Sequence, residues 1–475
     1  MRFVSRTITQ QDFLNGKSVN GFHSVIKLGL RFVYKKQGRS PFQFRNMRIL
    51  KLFLIPVLIL ISSVSYGQIR YDNYFEDSSL RIDYITVGNF ESQSAYVHQL
   101  RQEPVWGGPK KNLIEPFGYG EYRIDIYDAK DNTLIYRRSF CSLFGEWRTT
   151  EEAKNETQAW YNSMSIPFPK NKIVVDITAR NKADMSFYSI MKHTVDPESI
   201  FIDRAPLADN ITVKILDNGG SDKKVDLVFI AEGYTAQEQE KFVKDAQRFT
   251  DALFACPPFD SRKEDFNVWA VGTVSAESGT SSSGTGVYKN TALHTGYYTF
   301  GLDRYLTTKD MKSIKDATWN VPCDAVFLLI NTDTYGGGGI YNSYACGTAD
   351  NTRTLDVFTH EFGHSFAGLG DEYFESTVAY DESYYNLSQE LWEPNITSLV
   401  DFDKKWKDLL PEGTQIPTPL NDETKDKIGV FEGGGYLTKG IYRPMDHCMM
   451  RDYAPFCPAC SRAIVLMVDF LTDKQ

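Results

Sequence analysis

Residues 354–373 read TLDVFTHEFGHSFAGLGDEY. Leu355, Phe358, Phe362, Phe366 and Leu369 recur at three- and four-residue spacing, the period of a helix packed into a core. Gly368 and Gly370 follow, and glycine enters the left-handed conformation that ends a helix without steric cost. On that helix His360 and His364 lie one turn apart on the same face. Two neutral imidazoles so placed can hold one Zn2+ at ~2.0–2.1 Å. Glu361 projects beside the open position, where it can take a proton from the attacking water. A largely apolar helix that buried two histidines and a glutamate with no metal would desolvate them uncompensated. The pattern predicts an active-site helix with one catalytic zinc ion, His360 and His364 as ligands and Glu361 as general base.

Such a site needs a third protein ligand. The stretch resembles the metzincin consensus H-E-x-x-H-x-x-G-x-x-H, or its form ending in Asp, in which a glycine turns the chain back to the metal. Here the glycine and the acid each come one residue later, as Gly368 and Asp371. Asp371 is the expected third ligand, because carboxylate oxygen is an ordinary zinc donor. Glu372 is the alternative.

Before the helix, residues 225–231 and 324–330 read as buried strands and 266–271 as another. Thr235 to Glu238 matches a capping box, opening a helix that runs through Phe242, Ala246, Phe249 and Leu253. Four glycines, Gly336 to Gly339, precede Ile340-Tyr341-Asn342-Ser343-Tyr344. That run reads as an edge strand, with Ile340, Asn342 and Tyr344 on one side as candidate substrate-binding residues. A peptide substrate could add there as an antiparallel strand. No Gly-Lys-Ser/Thr follows the glycines, so a P-loop is excluded. After the helix, residues 374–440 read as a long insertion that walls the cleft. Met450, in preference to Met449, is the expected hydrophobic floor of the site, a methionine turn. Residues 458–471 read as an apolar-periodic closing helix.

Residues 68–200 carry strand-like runs at 80–87, 122–127, 134–140, 172–178 and 186–193, separated by turn signals, which predicts an N-terminal β-sandwich. Residues 201–224, with Pro206 and the run 217–222, read as a linker to a catalytic domain over 225–475. Upstream, Met47 to Lys51 opens a compact signal peptide. Residues 52–64 are its apolar core, and Ser65-Tyr66-Gly67 is a small-x-small cleavage site before Gln68. Residues 1–46 read as an extension upstream of the native start. The expected location is therefore exported: periplasmic, cell-surface or secreted. The apolar run is short for a membrane span, and the mature chain is expected to carry no anchor.

The 475 residues suffice for two or three domains. A hydrophobic share of 42% marks a globular rather than a disordered chain. Without residues 1–67, 41 basic residues face 60 acidic ones, a balance of −19, which argues against nucleic-acid partners. All seven cysteines fall beyond the leader. Cys457-Pro458-Ala459-Cys460 has C-x-x-C spacing, read first as structural, with a second zinc site or a redox pair as alternatives.

Three segments together resemble an exported metallopeptidase family named for an immunoglobulin A peptidase, which carries an N-terminal β domain. They are VDLVFIAEGY (225–234), HEFGHSFAGLGDEY (360–373), and Cys448-x-Met450-Arg451 with Phe456-Cys457-Pro458-x-Cys460. The resemblance spans about residues 70–475. It implies a secreted zinc endopeptidase acting on protein or peptide substrates, with His360, His364 and Asp371 as ligands and Glu361 as base. Host or glycosylated proteins such as immunoglobulin come into view as substrates. The fold expected is α+β and multidomain, a β-sandwich followed by a metzincin-like α/β peptidase domain with a mixed sheet. The rival readings are a surface glycan- or protein-binding module with a structural or vestigial zinc, and a metal-dependent deacylase.

Overall fold

The computed structural model describes residues 69–374 and 384–474. The expected extension 1–46, the expected signal peptide 47–67 and part of the insertion lie outside the described residues. Among those described, no helix is long and apolar enough to cross a membrane.

The N-terminal part is β-rich. One sheet has the order β5-β1-β2-β8, from β1 (Phe75–Gly88), β2 (Gln93–Glu103), β5 (Gln158–Pro169) and β8 (Ile202–Asp203). The second has the order β4-β3-β6-β7, from β3 (Tyr122–Asp128), β4 (Leu134–Phe140), β6 (Ile173–Arg180) and β7 (Phe187–Val195). Apolar residues alternate inward on both, and Leu80, Ile82 and Tyr84 of β1 share one core with Ile124 and Ile126 of β3 and Val175 and Ile177 of β6. Five of these strands overlap the runs read from sequence; β2 and β5 are additional, and so is β8, which lies in the stretch read as a linker.

The second part is mixed α/β. Its sheet has the order β15-β16-β14-β10-β11-β9. The strands are β9 (Ile211–Leu216), β10 (Val225–Glu232), β11 (Phe266–Gly272), β14 (Ala325–Ile330), β15 (Gly337–Ile340) and β16 (Tyr344–Thr348). Between β11 and β14, the two-residue strands β12 (Ser281–Ser282) and β13 (Gly296–Tyr297) pair with each other. The four inner strands run parallel, and β9 and β15 are antiparallel edges. β9 lies within the stretch read as a linker, so that stretch contributes a strand to the sheet. A hairpin of β17 (Phe431–Gly434) and β18 (Leu437–Arg443) stands apart.

β10 is buried along its whole length, which is why it reads as an unbroken apolar run. On one face, Leu227, Phe229 and Ala231 pack under α1 (Gln239–Leu253) and α3 (Thr354–Ala367). On the other, Val228 and Ile230 join Phe144, Trp147 and Trp160 of the β-rich part and Ile314 of α2 (Met311–Ala317). The Thr235/Glu238 capping box is formed, on a single 3-10 turn that leads into α1. At the far end, the Asp473 carboxylate accepts the backbone N–H groups of Lys110, Lys111 and Asn112 at 2.9–3.1 Å, tying the C-terminus to the β-rich part.

Candidate metal centre

Helix α3 sits where its aromatic stripe dictates. Phe358 packs its ring 4.8 Å from Phe327, 5.0 Å from Phe249 and 5.8 Å from Phe229. Each fully buried phenylalanine contributes about 1.5–3 kcal/mol relative to exposure, so this face anchors the helix on the sheet. Leu355, at the first turn, is instead 36% exposed. Gly368 caps the helix at φ 66°, its N–H returning to the His364 carbonyl at 3.0 Å. The chain then reverses and brings Asp371 back beneath the two histidines.

His360 Nε2 and His364 Nε2 are 3.1 Å apart, and each stands 3.1 or 3.2 Å from Asp371 Oδ1. Donors held at about 2.05 Å around one tetrahedral ion stand about 3.3 Å apart, so the spacing fits a single zinc-sized cation. The other ring nitrogens are committed: His360 Nδ1 donates to the Met449 carbonyl at 2.9 Å and His364 Nδ1 to the Leu369 carbonyl at 2.6 Å. These bonds leave both Nε2 lone pairs facing the common point. Asp371 Oδ1 is buried and makes no hydrogen bond, while Oδ2 accepts the Tyr436 hydroxyl. An orphaned buried carboxylate oxygen between two imidazoles is costly without a cation, so the donor set fits a metal. Burial alone would raise the Asp371 carboxyl, but His364 and His360 hold it well below the usual carboxylate range. Burial pushes Glu361 up, against the pull of the same two imidazoles.

Glu361 lines a cleft of about 440 Å³ that opens over the three donors, with Gly339, Tyr341, Tyr373, Tyr436 and Tyr453 among its walls. Met450 is fully buried under α3, with Sδ against Gly363; its carbonyl accepts the Glu372 N–H at 2.8 Å. Glu372 turns away from the three donors into a separate cluster with Cys448, Cys457 and Cys460.

The edge strand differs from its sequence reading. It is β15, Gly337–Ile340, made largely of the glycines themselves. A Cβ on Gly339 would lie 2.3 Å from the Glu361 carbonyl oxygen, and one on Gly337 2.8 Å from Val357. Only glycine lets the strand lie this close to α3. Ile340 ends the strand. Asn342 is in the turn at φ 49° and binds the Ser139 carbonyl, and Tyr344 is buried in β16 with its hydroxyl on Thr308. Asn342 and Tyr344 therefore do not line a free edge. Along that edge the Gly337 carbonyl accepts the Leu306 N–H and the Tyr341 carbonyl the Cys141 N–H. Strand alternation turns Gly339 the same way, and among the described residues it makes no such loop contact.

Two residues that the sequence reading passed over complete the site. Tyr436 holds Asp371. Asn395, fully buried, clamps the turn: it accepts the Gly370 N–H at 2.7 Å and donates to the Gly370 carbonyl at 2.8 Å and Glu372 Oε1 at 2.9 Å. Both come from the insertion, where no spacing rule ties them to the H-E-x-x-H helix.

A family model described as IgA Peptidase M64 matches residues 213–427 and 420–468. A second, described as Peptidase M64 N-terminus, matches residues 70–189. No curated protein matches the chain.

Proposed function

The chain belongs to the IgA peptidase M64 family, and on that premise we propose that it is a zinc-dependent endopeptidase of metzincin-like build. The observation that carries the reading is the convergence of His360 Nε2, His364 Nε2 and Asp371 Oδ1, with that oxygen buried and unbonded. His360, His364 and Asp371 would hold the ion, which when bound supplies Lewis acidity toward the scissile carbonyl and lowers the pKa of water from about 15.7 towards 7.

The chain's own residues do the rest. Glu361 takes a proton from the attacking water and returns it to the leaving amine. Tyr436 fixes the Asp371 carboxylate, and the Met449 and Leu369 carbonyls fix the imidazole tautomers. The outward backbone groups of Gly339 pair with one residue of an extended substrate, aligning it antiparallel to β15. Met450 is the apolar floor. The walls supplied by the insertion select the substrate, a protein or peptide; glycosylated host proteins such as immunoglobulins are the class that the family description suggests. Export through the leader at 47–67 belongs to the same reading.

A binding module with a structural zinc is the weaker alternative, because Glu361 lines an open cleft beside the donors rather than closing them off. Digestion of a random peptide library, with and without a chelator, tests the proposal. Cleavage that the chelator abolishes and added zinc restores supports it. Cleavage indifferent to the chelator, or none with a full zinc complement, overturns it.

A further inference from the structure

Behind the three donors lies a second convergence that peptide hydrolysis does not use. Glu372, Cys448, Cys457 and Cys460 are all essentially buried, and their ligand atoms lie within 4.8 Å of one another. Cys448 Sγ and Cys460 Sγ are 3.7 Å apart; Glu372 Oε1 stands 3.2 Å from Cys460 Sγ and 3.9 Å from Cys457 Sγ. Sulfurs bound to one tetrahedral zinc at ~2.3 Å stand about 3.8 Å apart, and a sulfur and a carboxylate oxygen about 3.6 Å. The sulfur–sulfur spacing lies close to its value, and the two sulfur–oxygen spacings bracket theirs.

The surroundings suit thiolates. The Cys457 N–H points to Cys448 Sγ and the Cys460 N–H to Cys457 Sγ, each at 3.4 Å. Cys457 caps α5 (Pro458–Leu471), and Cys460 lies in its first turn. Among the described residues no Lys, Arg or His forms an ion pair with Glu372, and its Oε2 is buried without a hydrogen bond. The charge of Arg443 acts on Glu372, but that guanidinium is held by Asp446 and by the carbonyls of Glu432 and Gly433. A carboxylate buried among three thiols without an ion-pair partner is costly; one divalent cation, binding the three sulfurs as thiolates, would satisfy all four.

We propose that Glu372, Cys448, Cys457 and Cys460 form a second zinc site, closed by four protein ligands and structural. Thiolates select zinc over hard cations such as magnesium and calcium. The four ligands come from the turn after α3, from the residue before α4 (Met449–Asp452) and from the start of α5. An ion there joins the turn that carries Asp371 to the segment whose Met449 carbonyl orients His360. The site uses no residue of the catalytic set, and its test does not read peptidase activity.

Zinc analysis and zinc-edge X-ray absorption on the purified full chain are the test. Two zinc ions per chain are expected, with a sulfur shell at ~2.3 Å beside a nitrogen and oxygen shell. The H360A/H364A double variant should keep one zinc with a sulfur-dominated shell, and Cys460→Ser should lose that one. If either variant fails to fold, the wild-type spectrum decides alone. A wild-type spectrum without sulfur overturns the proposal, as does an intact mass and peptide map showing a Cys448–Cys460 disulfide.

Discussion

Asp371 and Glu372 are consecutive, yet their carboxylates serve different clusters: Asp371 Oδ1 lies 3.1 Å from His360 Nε2, and Glu372 Oε1 lies 3.2 Å from Cys460 Sγ. One peptide unit thus separates the donor that completes the histidine site from the acid of the cysteine cluster. The turn that carries both is held from the side by Asn395 and from below by the Met450 carbonyl. The position of Asp371 is therefore set in part by groups that touch none of the three donor atoms.

Tyr436 is the simplest probe of that support. Its hydroxyl is the partner of Asp371 Oδ2, so Tyr436→Phe removes the hydrogen bond that holds that oxygen. Outer-shell losses of this kind cost about 10–100-fold in metal affinity or activity. Competition with a zinc-responsive dye should show weakened binding in that range with the fold intact. Unchanged affinity would mean that Tyr436 does not orient the carboxylate.

Glu361→Gln separates binding from chemistry. Glutamine keeps the shape but accepts no proton, and Glu361 is not one of the three converging donors. Zinc content should stay at the wild-type level while kcat falls by about 10²–10⁴, the range for a lost general base. Metal analysis beside a peptide-cleavage assay reads both. Near-normal turnover would remove Glu361 from the mechanism.

Asn395→Ala removes three bonds from the Gly370–Glu372 turn. It leaves the buried Gly370 N–H without its partner and deprives Glu372 Oε1 of its amide donor. Each orphaned group costs about 1–3 kcal/mol, so denaturant titration should find a loss of at least that size. A loss under ~0.5 kcal/mol would show that the turn holds itself.

How far the sequence reveals this arrangement depends on the kind of force at each point. Helix α3 was legible because Phe358, Phe362 and Phe366 repeat at the helical period and Gly368 stops them; α5 and β10 were legible for the same reason, a pattern written in apolar side chains. β5 escaped notice because it carries Asn162, Ser163 and two prolines, which an outer strand tolerates. β2 escaped because polar and charged residues blur its alternation. Asn395 and Tyr436 act through side-chain hydrogen bonds to Gly370 and Asp371, 25 and 65 residues away in the chain, and such contacts leave no periodic trace. β15 was misplaced by three residues because glycine has no side chain to carry a pattern.

The missing side chain at Gly339 also sets how close β15 lies to α3. Gly339 meets α3 so closely that a Cβ would fall 2.3 Å from the Glu361 carbonyl oxygen and 2.9 Å from the His364 Cβ. The obstacle is helix backbone, which cannot swing aside, so Gly339→Ala must push β15 away from α3. Overpacking of this kind costs about 1–3 kcal/mol. The same shift moves the outward backbone groups that are proposed to align the substrate, while the histidine and aspartate donors sit on other elements. The expected result is a lowered melting temperature, a raised KM for long peptides and a retained catalytic zinc. Gly338→Ala is the control: its nearest neighbours are the Tyr305 ring at 2.9 Å and the Leu306 carbonyl at 3.1 Å, on the face away from α3. If both variants raised KM equally, general loosening of the strand rather than its distance from the helix would govern substrate alignment.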